Sequence, residues 1–306
     1  MNHELPKTLI VIAGPTASGK TAIGIELANR FKTVVVSADS RQFYREMSIG
    51  TAKPRPEELA AAKHYFIDSL SITKNYTAGD YEHDALLLLD RLFKTHDVVI
   101  LAGGSGLFIK AVCEGFDVFP GIKAGIREKL NEEFESRGLS YLQDRLRSFD
   151  PVYYDQVDLN NPQRVIRALE VFESSGKPYS SFRKSGNGER PFRIVKIALG
   201  MERDVLYDRI NQRVDEMIKQ GLVEEVRSLL PYRHLNALNT VGYSELFDYL
   251  DGNTDLETAV ASIKQNTRRF AKRQMTWFNK DKEIIWVSAD RAGLTDNIIG
   301  IVDSLV

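Results

Sequence analysis

One stretch near the start of the chain constrains the fold more than any other. Residues 14–21 read Gly-Pro-Thr-Ala-Ser-Gly-Lys-Thr and match the phosphate-loop pattern G-x-x-x-x-G-K-[ST]. The apolar run Thr8–Ala13 before it predicts a buried strand, and Ala22–Phe31 after it predicts a helix. Backbone N–H groups at a helix N-terminus bind phosphate oxygens, so this order of strand, glycine-bounded loop and helix predicts a phosphate site.

Each residue type in this loop suits a bound diphosphate. The glycines let the backbone approach a phosphate closely, Lys20 adds a positive charge, and Thr21 adds a hydroxyl that suits Mg²⁺. The pattern does not say which molecule carries the phosphates. The residues expected to bind them are Gly14, Pro15, Thr16, Ala17, Ser18, Gly19, Lys20 and Thr21.

Composition narrows the classes of protein. The 306 residues can bury a substantial core and form one large domain or two smaller ones. Cys113 is the only cysteine, which excludes an intrachain disulfide and a cysteine-based metal cluster. A net charge of −1 lacks the basic excess of most nucleic-acid binders, so any such role must depend on local clusters. No signal-peptide pattern or membrane-length apolar run is present, and a soluble cytoplasmic protein is expected.

Strands and helices are predicted to alternate along most of the chain. Further strands are predicted at Thr33–Ser37, Tyr65–Leu70, Asp97–Ala102, Phe192–Leu199 and Glu283–Val287. Helices are predicted at Pro56–His64, at Thr77–Lys94, within Arg203–Leu230 and at Ala259–Asn279. Alternation at this spacing predicts an α/β fold: a P-loop NTPase-like parallel sheet flanked by helices.

A charged helical segment interrupts this alternation. Residues Ile126–Ser174 show amphipathic helical periodicity, and the glycine-containing segment Lys184–Arg190 has the composition of a linker. We therefore expect two domains: a core of residues 1–120 and 191–306 that includes the C-terminal helices, and an all-helical insertion at residues 121–190.

The ends of the predicted strands carry the residues of a candidate site. The strand Asp97–Ala102 continues into Gly103-Gly104, without the Asp with which most P-loop ATPases and GTPases organise Mg²⁺. This disfavours a motor or a switch GTPase, although several small-molecule kinases tolerate a glycine-rich strand end. Asp39–Gln42 follow the predicted second strand, and Ser105 follows the two glycines. Because ligands bind at the carboxyl ends of parallel strands, we expect these residues to face the phosphate loop.

Several blocks of the sequence are similar to the bacterial tRNA dimethylallyltransferase family. They lie, in order, at residues 14–21 (GPTASGKT), 37–44 (SADSRQFY), 49–54 (IGTAKP), 103–111 (GGSGLFIKA), 161–164 (NPQR), 167–171 (RALEV) and 271–277 (AKRQMTW). The similarity extends from the first strand to near the end of the predicted C-terminal helix. Because the blocks are ordered and evenly spread, the resemblance is more specific than the phosphate loop alone.

The resemblance implies a prenyl-transfer reaction. Members of this family transfer a dimethylallyl group from dimethylallyl diphosphate to N6 of the adenosine at tRNA position 37, beside the anticodon, and release diphosphate. For this chain it implies Asp39 as the general base, Ser105 as the hydroxyl that helps to orient the amine, and Arg213 as a further diphosphate contact. The family usually has Thr in place of Ser105 and commonly Tyr in place of Phe108, so Phe108 is expected to have no polar role. The expected cofactor is Mg²⁺, held partly by Thr21.

The resemblance also implies that three segments contact tRNA: the loop after the second strand, the insertion, and the C-terminal helix. Without it, the basic residues of that helix would be interpreted as a solvated face. A monomer that binds the anticodon stem-loop and no membrane is expected. The residues expected to contact tRNA are Asp39, Ser40, Arg41, Gln42, Ser105, Arg127, Gln163, Arg164, Val165, Ile166, Arg167, Arg268, Lys272 and Arg273.

Three alternatives stay open at this point. A small-molecule kinase would explain the phosphate loop and the glycine-rich strand end, although not the later blocks. An enzyme that prenylates a free adenine nucleotide would use the same chemistry, but it would not need the insertion or the basic helix. A non-catalytic RNA-binding protein is disfavoured because Lys20, Thr21 and Asp39 are all present.

Overall fold

The computed structural model describes residues 7–117, 119–183, 189–290 and 292–305. The chain divides into two compact units, one formed by Met1–Glu114 with Glu189–Val306 and the other by Gly115–Gly188. Most of the predicted linker, residues 184–188, lies outside the described residues.

The larger unit is built on a parallel sheet of six strands. The strands are β1 (Thr8–Ala13), β2 (Val35–Ser37), β3 (His64–Tyr65), β4 (Val98–Ala102), β5 (Arg193–Gly200) and β6 (Ile285–Ser288). Their order across the sheet is β3-β2-β4-β1-β5-β6, and each neighbouring pair is parallel. This arrangement confirms the predicted α/β fold class with a parallel sheet.

Helices cover both faces of this sheet. In the larger unit they are α1 (Lys20–Arg30), α2 (Pro56–Ala61), α3 (Ala78–Leu92), α4 (Gly106–Cys113), α8 (Arg203–Lys219), α9 (Leu222–Ser228), α10 (Tyr243–Leu250), α11 (Leu256–Phe278) and α12 (Leu294–Leu305). Strand β1 shows why both faces need cover, since its residues are buried on both sides. Leu9 and Val11 belong to one apolar cluster, and Ile10 and Ile12 belong to the cluster on the opposite face.

Local signals explain several helix boundaries. Helix α3 begins after Thr77, whose hydroxyl accepts a hydrogen bond from the Asp80 N–H at 3.2 Å. The Asp80 carboxylate in turn accepts from the Thr77 N–H at 2.8 Å, which completes a capping box. The expected capped start at Thr77 is therefore confirmed.

Other boundaries differ from the prediction. Strand β3 is much shorter than the predicted strand Tyr65–Leu70, because Phe66 and Asp68 take positive φ angles of 60° and 50° that end the extended backbone. Helices α4, α10 and α12 were not expected from the sequence pattern.

The smaller unit is helical. It contains α5 (Ile126–Phe149), α6 (Pro151–Tyr154) and α7 (Pro162–Ser175), and α5 is kinked at Gly138, where φ is 79°. Leu130, Leu142 and Leu146 of α5 pack against the apolar face of α7 to form the core of this unit. Among the residues that the structure describes, no helix is both long and apolar enough to cross a membrane.

Candidate active site

The phosphate loop connects β1, which lies between β4 and β5 in the sheet, to α1. Gly14 begins the loop at φ 145°, and a Cβ at this position would lie only 2.9 Å from the Leu199 carbonyl oxygen of β5. Gly19 at φ 89° turns the chain into α1. These two glycines therefore permit the loop to stay close to the carboxyl edge of the sheet.

Lys20 lies partly buried in this loop. Its Nζ donates a hydrogen bond to the Pro15 carbonyl oxygen at 2.5 Å. Burial lowers the pKa of Lys20 to about 7, the positive charge of Arg213 lowers it as well, and the carboxylate of Asp39 raises it. In the absence of an anionic ligand, the ammonium and neutral forms of Lys20 are therefore both populated near neutral pH.

Arg213 projects from α8 and is the second cation of the site. Burial lowers its pKa too, whereas the charges of Asp39 and Glu58 raise it. Within the described residues, no ion pair joins Arg213 or Lys20 to a carboxylate. Two desolvated cations without a bonded counter-ion define a site that favours a multiply charged anion.

The hydroxyl groups of the loop leave room for such an anion. The buried Ser18 Oγ has no hydrogen-bond partner among the described residues. Thr21 follows Lys20 at the start of α1 and is partly buried. The Thr16 N–H was also expected to bind phosphate. It instead donates a hydrogen bond to the Gln274 side chain at 2.8 Å.

Asp39 lies just beyond β2, which pairs with β4 on the side away from β1. Its Oδ1 accepts hydrogen bonds from the backbone N–H groups of Arg41 at 2.9 Å and Gln42 at 3.2 Å. Oδ2 accepts no hydrogen bond from the described residues. One oxygen therefore fixes the carboxylate, and the other is available to accept a proton from a ligand.

Ser105 lies beyond β4 and immediately precedes α4. Its Oγ accepts a hydrogen bond from the Ser40 N–H at 2.9 Å, and its own N–H donates to the Ala38 carbonyl oxygen at 3.1 Å. A Cβ on Gly103 would lie 2.2 Å from the same Ala38 oxygen. The chain segments that carry Ser105 and Asp39 are thus held in direct contact, as expected for neighbouring strand ends.

Two neighbours of Asp39 are also engaged within the protein. The Arg41 guanidinium donates to the carbonyl oxygens of Ser40 at 3.2 Å and Asn236 at 3.5 Å, and burial lowers its pKa. The Gln42 side-chain amide donates to the carbonyl oxygens of residues 51 and 52 at 3.2 and 3.1 Å. Gln42 therefore stabilises the loop after it, a role that the sequence pattern did not reveal.

Phe108 belongs to the core. It is 6% exposed and stacks on Tyr81 with 4.3 Å between ring centroids. Its side chain also lies parallel to Phe43 at 6.0 Å. These contacts agree with the expectation that Phe108 has no polar role.

Helix α11 presents a basic and aromatic face. Arg268 donates to the Asn211 side chain at 2.6 Å, whereas Lys272 and Arg273 are exposed and have no ion pair among the described residues. The guanidinium of Arg273 lies 5.7 Å from the ring centroid of Phe270, and Trp277 is 39% exposed. Exposed cations beside aromatic rings suit stacking and phosphate contacts with single-stranded RNA.

Gln274 lies on the opposite, buried face of α11 and was missed by the sequence interpretation, which included it in a block but gave it no role. It follows the buried Ala271 by three residues and precedes the buried Phe278 by four. An uncharged polar residue in such an apolar row is the signal that could have identified it, because a buried amide needs partners.

In the smaller unit, the expected tRNA-contacting residues differ in their surroundings. Glu170, which is 1% exposed, accepts hydrogen bonds from Arg127 at 3.0 Å and Arg167 at 3.3 Å. Arg127 also donates to Gln163 at 2.6 Å. Arg164 is exposed and has no ion pair among the described residues.

Val165 and Ile166 require a correction. Both were expected to contact tRNA, but both are 0% exposed and pack in the core of the smaller unit. Helical periodicity explains this, because the two residues lie on the apolar face of α7 while the polar residues before them face outward. Their side chains stabilise the helix that carries Gln163 and Arg164.

The fold and this arrangement define a P-loop NTPase-like α/β protein whose phosphate loop shares the carboxyl edge of the sheet with a carboxylate that follows β2, two strands away. The chain belongs to the IPP transferase family, whose family model matches residues 42–281. This assignment agrees with the resemblance found in the sequence and identifies the protein as a prenyl-transferring enzyme.

Similar proteins cover nearly the whole chain. A tRNA dimethylallyltransferase of Christiangramia forsetii is 53% identical over 97% of this chain and 98% of its own length. Tertiary structure gives the same relation: a full-length tRNA isopentenylpyrophosphate transferase from Bacillus halodurans is 37% identical, with a TM-score of 0.71 over 98% of this chain and 95% of its own. A eukaryotic dimethylallyltransferase acting on tRNA has a TM-score of 0.84 at 23% identity, covering 98% of this chain and 79% of its own, which shows the shared fold.

Proposed function

We infer that this protein transfers a dimethylallyl group from dimethylallyl diphosphate to N6 of the adenosine at tRNA position 37 and releases diphosphate. One observation carries this conclusion. Two partly buried cations, Lys20 and Arg213, lie within the electrostatic reach of Asp39, a carboxylate with one free oxygen. The cations suit the diphosphate, and the carboxylate suits the amine that replaces it.

The leaving group is stabilised by positive charge. As the allylic C–O bond breaks, negative charge grows on the diphosphate, and the loop N–H groups with Lys20 and Arg213 stabilise it. Binding of the diphosphate also raises the pKa of Lys20 from its low value, because an adjacent anion favours the ammonium form.

The loop also fits Mg²⁺. No group of three or more His, Cys, Asp or Glu side chains that could bind a metal occurs among the described residues. Mg²⁺ is commonly bound by one or two protein oxygens together with substrate phosphates, and the partly buried Thr21 hydroxyl offers one such oxygen. When bound, the ion would neutralise charge on the diphosphate.

The nucleophile needs a base because the lone pair of the adenine amine is delocalised into the ring. In the proposed step the N6–C bond forms, the C–O bond to diphosphate breaks, and the N6 proton passes to Asp39 Oδ2. Ser105 helps to orient the amine, since its Oγ accepts the Ser40 N–H and, among the described residues, donates its own proton to no acceptor.

We further propose that exposed residues of α11 and α7 bind the anticodon stem-loop, with Lys272, Arg273 and Arg164 as phosphate contacts. The adenine must leave the stack of bases to reach Asp39, as in other base-modifying enzymes. The protein is also proposed to act as a monomer. As a tRNA-modifying enzyme, it is proposed to act in the cytoplasm.

The decisive experiment is mass spectrometry of nucleosides from tRNA incubated with the protein, Mg²⁺ and dimethylallyl diphosphate. The proposal expects N6-dimethylallyladenosine at position 37. Modification of AMP but not of an anticodon stem-loop would instead identify an enzyme for free nucleotides. Transfer of label from γ-labelled ATP, with none from labelled dimethylallyl diphosphate, would identify a kinase.

A further inference from the structure

Gln274 connects two loops of the site that are far apart in the sequence. It is 7% exposed and projects from α11 toward the carboxyl edge of the sheet. Its Oε1 accepts a hydrogen bond from the Thr16 N–H in the phosphate loop at 2.8 Å. Its Nε2 donates to the Gly104 carbonyl oxygen beyond β4 at 2.9 Å. Both ends of one amide are therefore used to join the loop after β1 to the loop after β4.

The surrounding backbone is fitted to this amide. A Cβ on Gly104 would lie 2.4 Å from Gln274 Nε2, so only glycine lets the amide approach this carbonyl. Two residues further on, a Cβ on Gly106 would lie 2.2 Å from the Trp277 ring, which belongs to the same helix. Helix α11 is thus packed directly against the glycine-rich segment that leads into the start of α4.

The two joined loops serve the two reactants of the proposed step, the allylic diphosphate and the adenine amine. The phosphate loop holds the leaving diphosphate, whereas Gly104 directly precedes Ser105, whose hydroxyl accepts the Ser40 N–H beside Asp39. The allylic carbon must lie between the diphosphate and the amine, and errors of about 1 Å in such an alignment cost about 10²-fold in rate. Beyond the backbone pairing of β1 with β4, the Gln274 side chain links these two loops directly through its two hydrogen bonds.

We propose that Gln274 is a positioning residue that aligns the allylic diphosphate with the adenine amine. This inference rests on the proposed prenyl transfer to tRNA. Gln274 contacts neither substrate, and it acts through the Thr16 N–H and the Gly104 carbonyl. Its loss should therefore affect the rate and the fidelity of transfer more than the binding of either substrate.

The main test is Gln274→Met, which keeps the length of the side chain and removes both hydrogen bonds. We expect kcat to fall about 10- to 100-fold, while KM for dimethylallyl diphosphate and Kd for tRNA change less than about threefold. Misalignment should also let water capture the allylic carbon, so that the C–O bond breaks and dimethylallyl alcohol, diphosphate and a proton are formed. The diphosphate released per modified adenosine should rise from about one in the wild type to about three or more.

Two further variants complete the test. Gln220→Met makes the same exchange at an exposed position at the end of α8, outside the residues assigned to either substrate, and should leave kcat and the product ratio unchanged. Gln274→Glu can accept the Thr16 N–H but cannot donate to Gly104, so its product ratio should also rise. Should the methionine variant fail to fold by circular dichroism, the glutamate variant decides on the same criterion.

Measurements on the wild-type protein separate a failure of the positioning role from a failure of the proposed function. If wild-type protein modifies tRNA and the folded Gln274 variants keep its kcat and product ratio, or lose only thermal stability, the positioning role is wrong. If wild-type protein forms no dimethylallyladenosine at all, the proposed function itself fails.

Discussion

At the scale of single residues, the two oxygens of Asp39 have different surroundings. Oδ1 accepts two backbone N–H groups, and Oδ2 accepts none from the described residues. Asp39→Asn keeps the shape of the side chain and an oxygen acceptor for those two donors but removes the base. We expect kcat to fall by about 10²- to 10⁴-fold, with little change in Kd for tRNA or dimethylallyl diphosphate. Single-turnover kinetics with filter binding would measure both.

Asp39→Ala provides the comparison for this experiment. It removes the base and also leaves the N–H groups of Arg41 and Gln42 without their acceptor, so it should lower stability as well as turnover. An Asp39→Asn protein with unchanged turnover would refute the general-base assignment.

Lys20 should make diphosphate binding depend on pH. Burial lowers its pKa from 10.5 to about 7 in the free protein, and the bound diphosphate raises it again. Binding above pH 7 must therefore take up a proton, so affinity should fall as the pH rises from 7 to 9, by at most about tenfold per pH unit. Below pH 7 Lys20 is protonated in both states, and its contribution to the pH dependence disappears.

Isothermal titration calorimetry in buffers of different ionisation enthalpy would measure this proton uptake at pH 8. Lys20→Met should bind diphosphate more weakly and show no such uptake. Equal proton uptake in the wild type and in Lys20→Met would contradict the assignment to Lys20.

At the scale of elements, the sequence predicted those parts of the fold that local patterns determine. Strand β1 and helix α3 have their expected positions because an apolar run and a capping box depend on neighbouring residues only. Helix α4 was not expected, because glycines at residues 103, 104 and 106 are typical of a loop. The structure shows that these glycines are needed for contacts with distant segments, namely Ala38, Gln274 and Trp277.

The same distinction applies to the candidate site. Asp39 and Ser105 could be placed at one sheet edge because parallel strands align their carboxyl ends. The role of Gln274 could not be predicted, since its partners Thr16 and Gly104 lie far from it in the sequence. The burial of Ile166 was missed because the basic residues around it dominated the interpretation of α7.

Gly103 gives a test of the contact between β4 and the segment after β2. A Cβ on Gly103 would lie 2.2 Å from the Ala38 carbonyl oxygen, which is backbone and cannot move alone. Gly103→Ala should therefore lower the free energy of unfolding by about 1–3 kcal/mol and displace Ser105. Urea denaturation measures the first effect, and kcat measures the second.

Gly300 is the matched control for this substitution. It lies inside α12, where a Cβ would meet no atom within 4 Å. Because alanine favours a helix over glycine, Gly300→Ala should raise the free energy of unfolding by about 0.5–1 kcal/mol. Equal stability changes for the two substitutions would mean that an added Cβ at Gly103 does not clash with the Ala38 carbonyl oxygen.

At the scale of the whole molecule, the net charge of −1 conceals an uneven distribution. Many basic residues are neutralised within the protein: Lys196 contacts Glu114, Asp281 and Glu283 at 2.8–3.0 Å. Lys272 and Arg273 on α11 have no ion pair among the described residues. A protein that is nearly neutral overall can therefore bind RNA through a few uncompensated charges.

These charges lead to a prediction about salt. Each phosphate contact releases counterions, so the double substitution Lys272→Ala/Arg273→Ala should weaken binding of an anticodon stem-loop and reduce the slope of log K against log salt by about 1.4–1.8. Arg164→Ala should reduce the slope by about half as much, and the two losses of binding free energy should add. Fluorescence anisotropy across a salt series would measure the slopes.

Arg30→Ala/Arg91→Ala removes the same charge from exposed positions at the far ends of α1 and α3 and should leave the slope unchanged. Equal slopes for the two double variants would show that net charge alone, rather than the basic face of α11, governs the binding of tRNA.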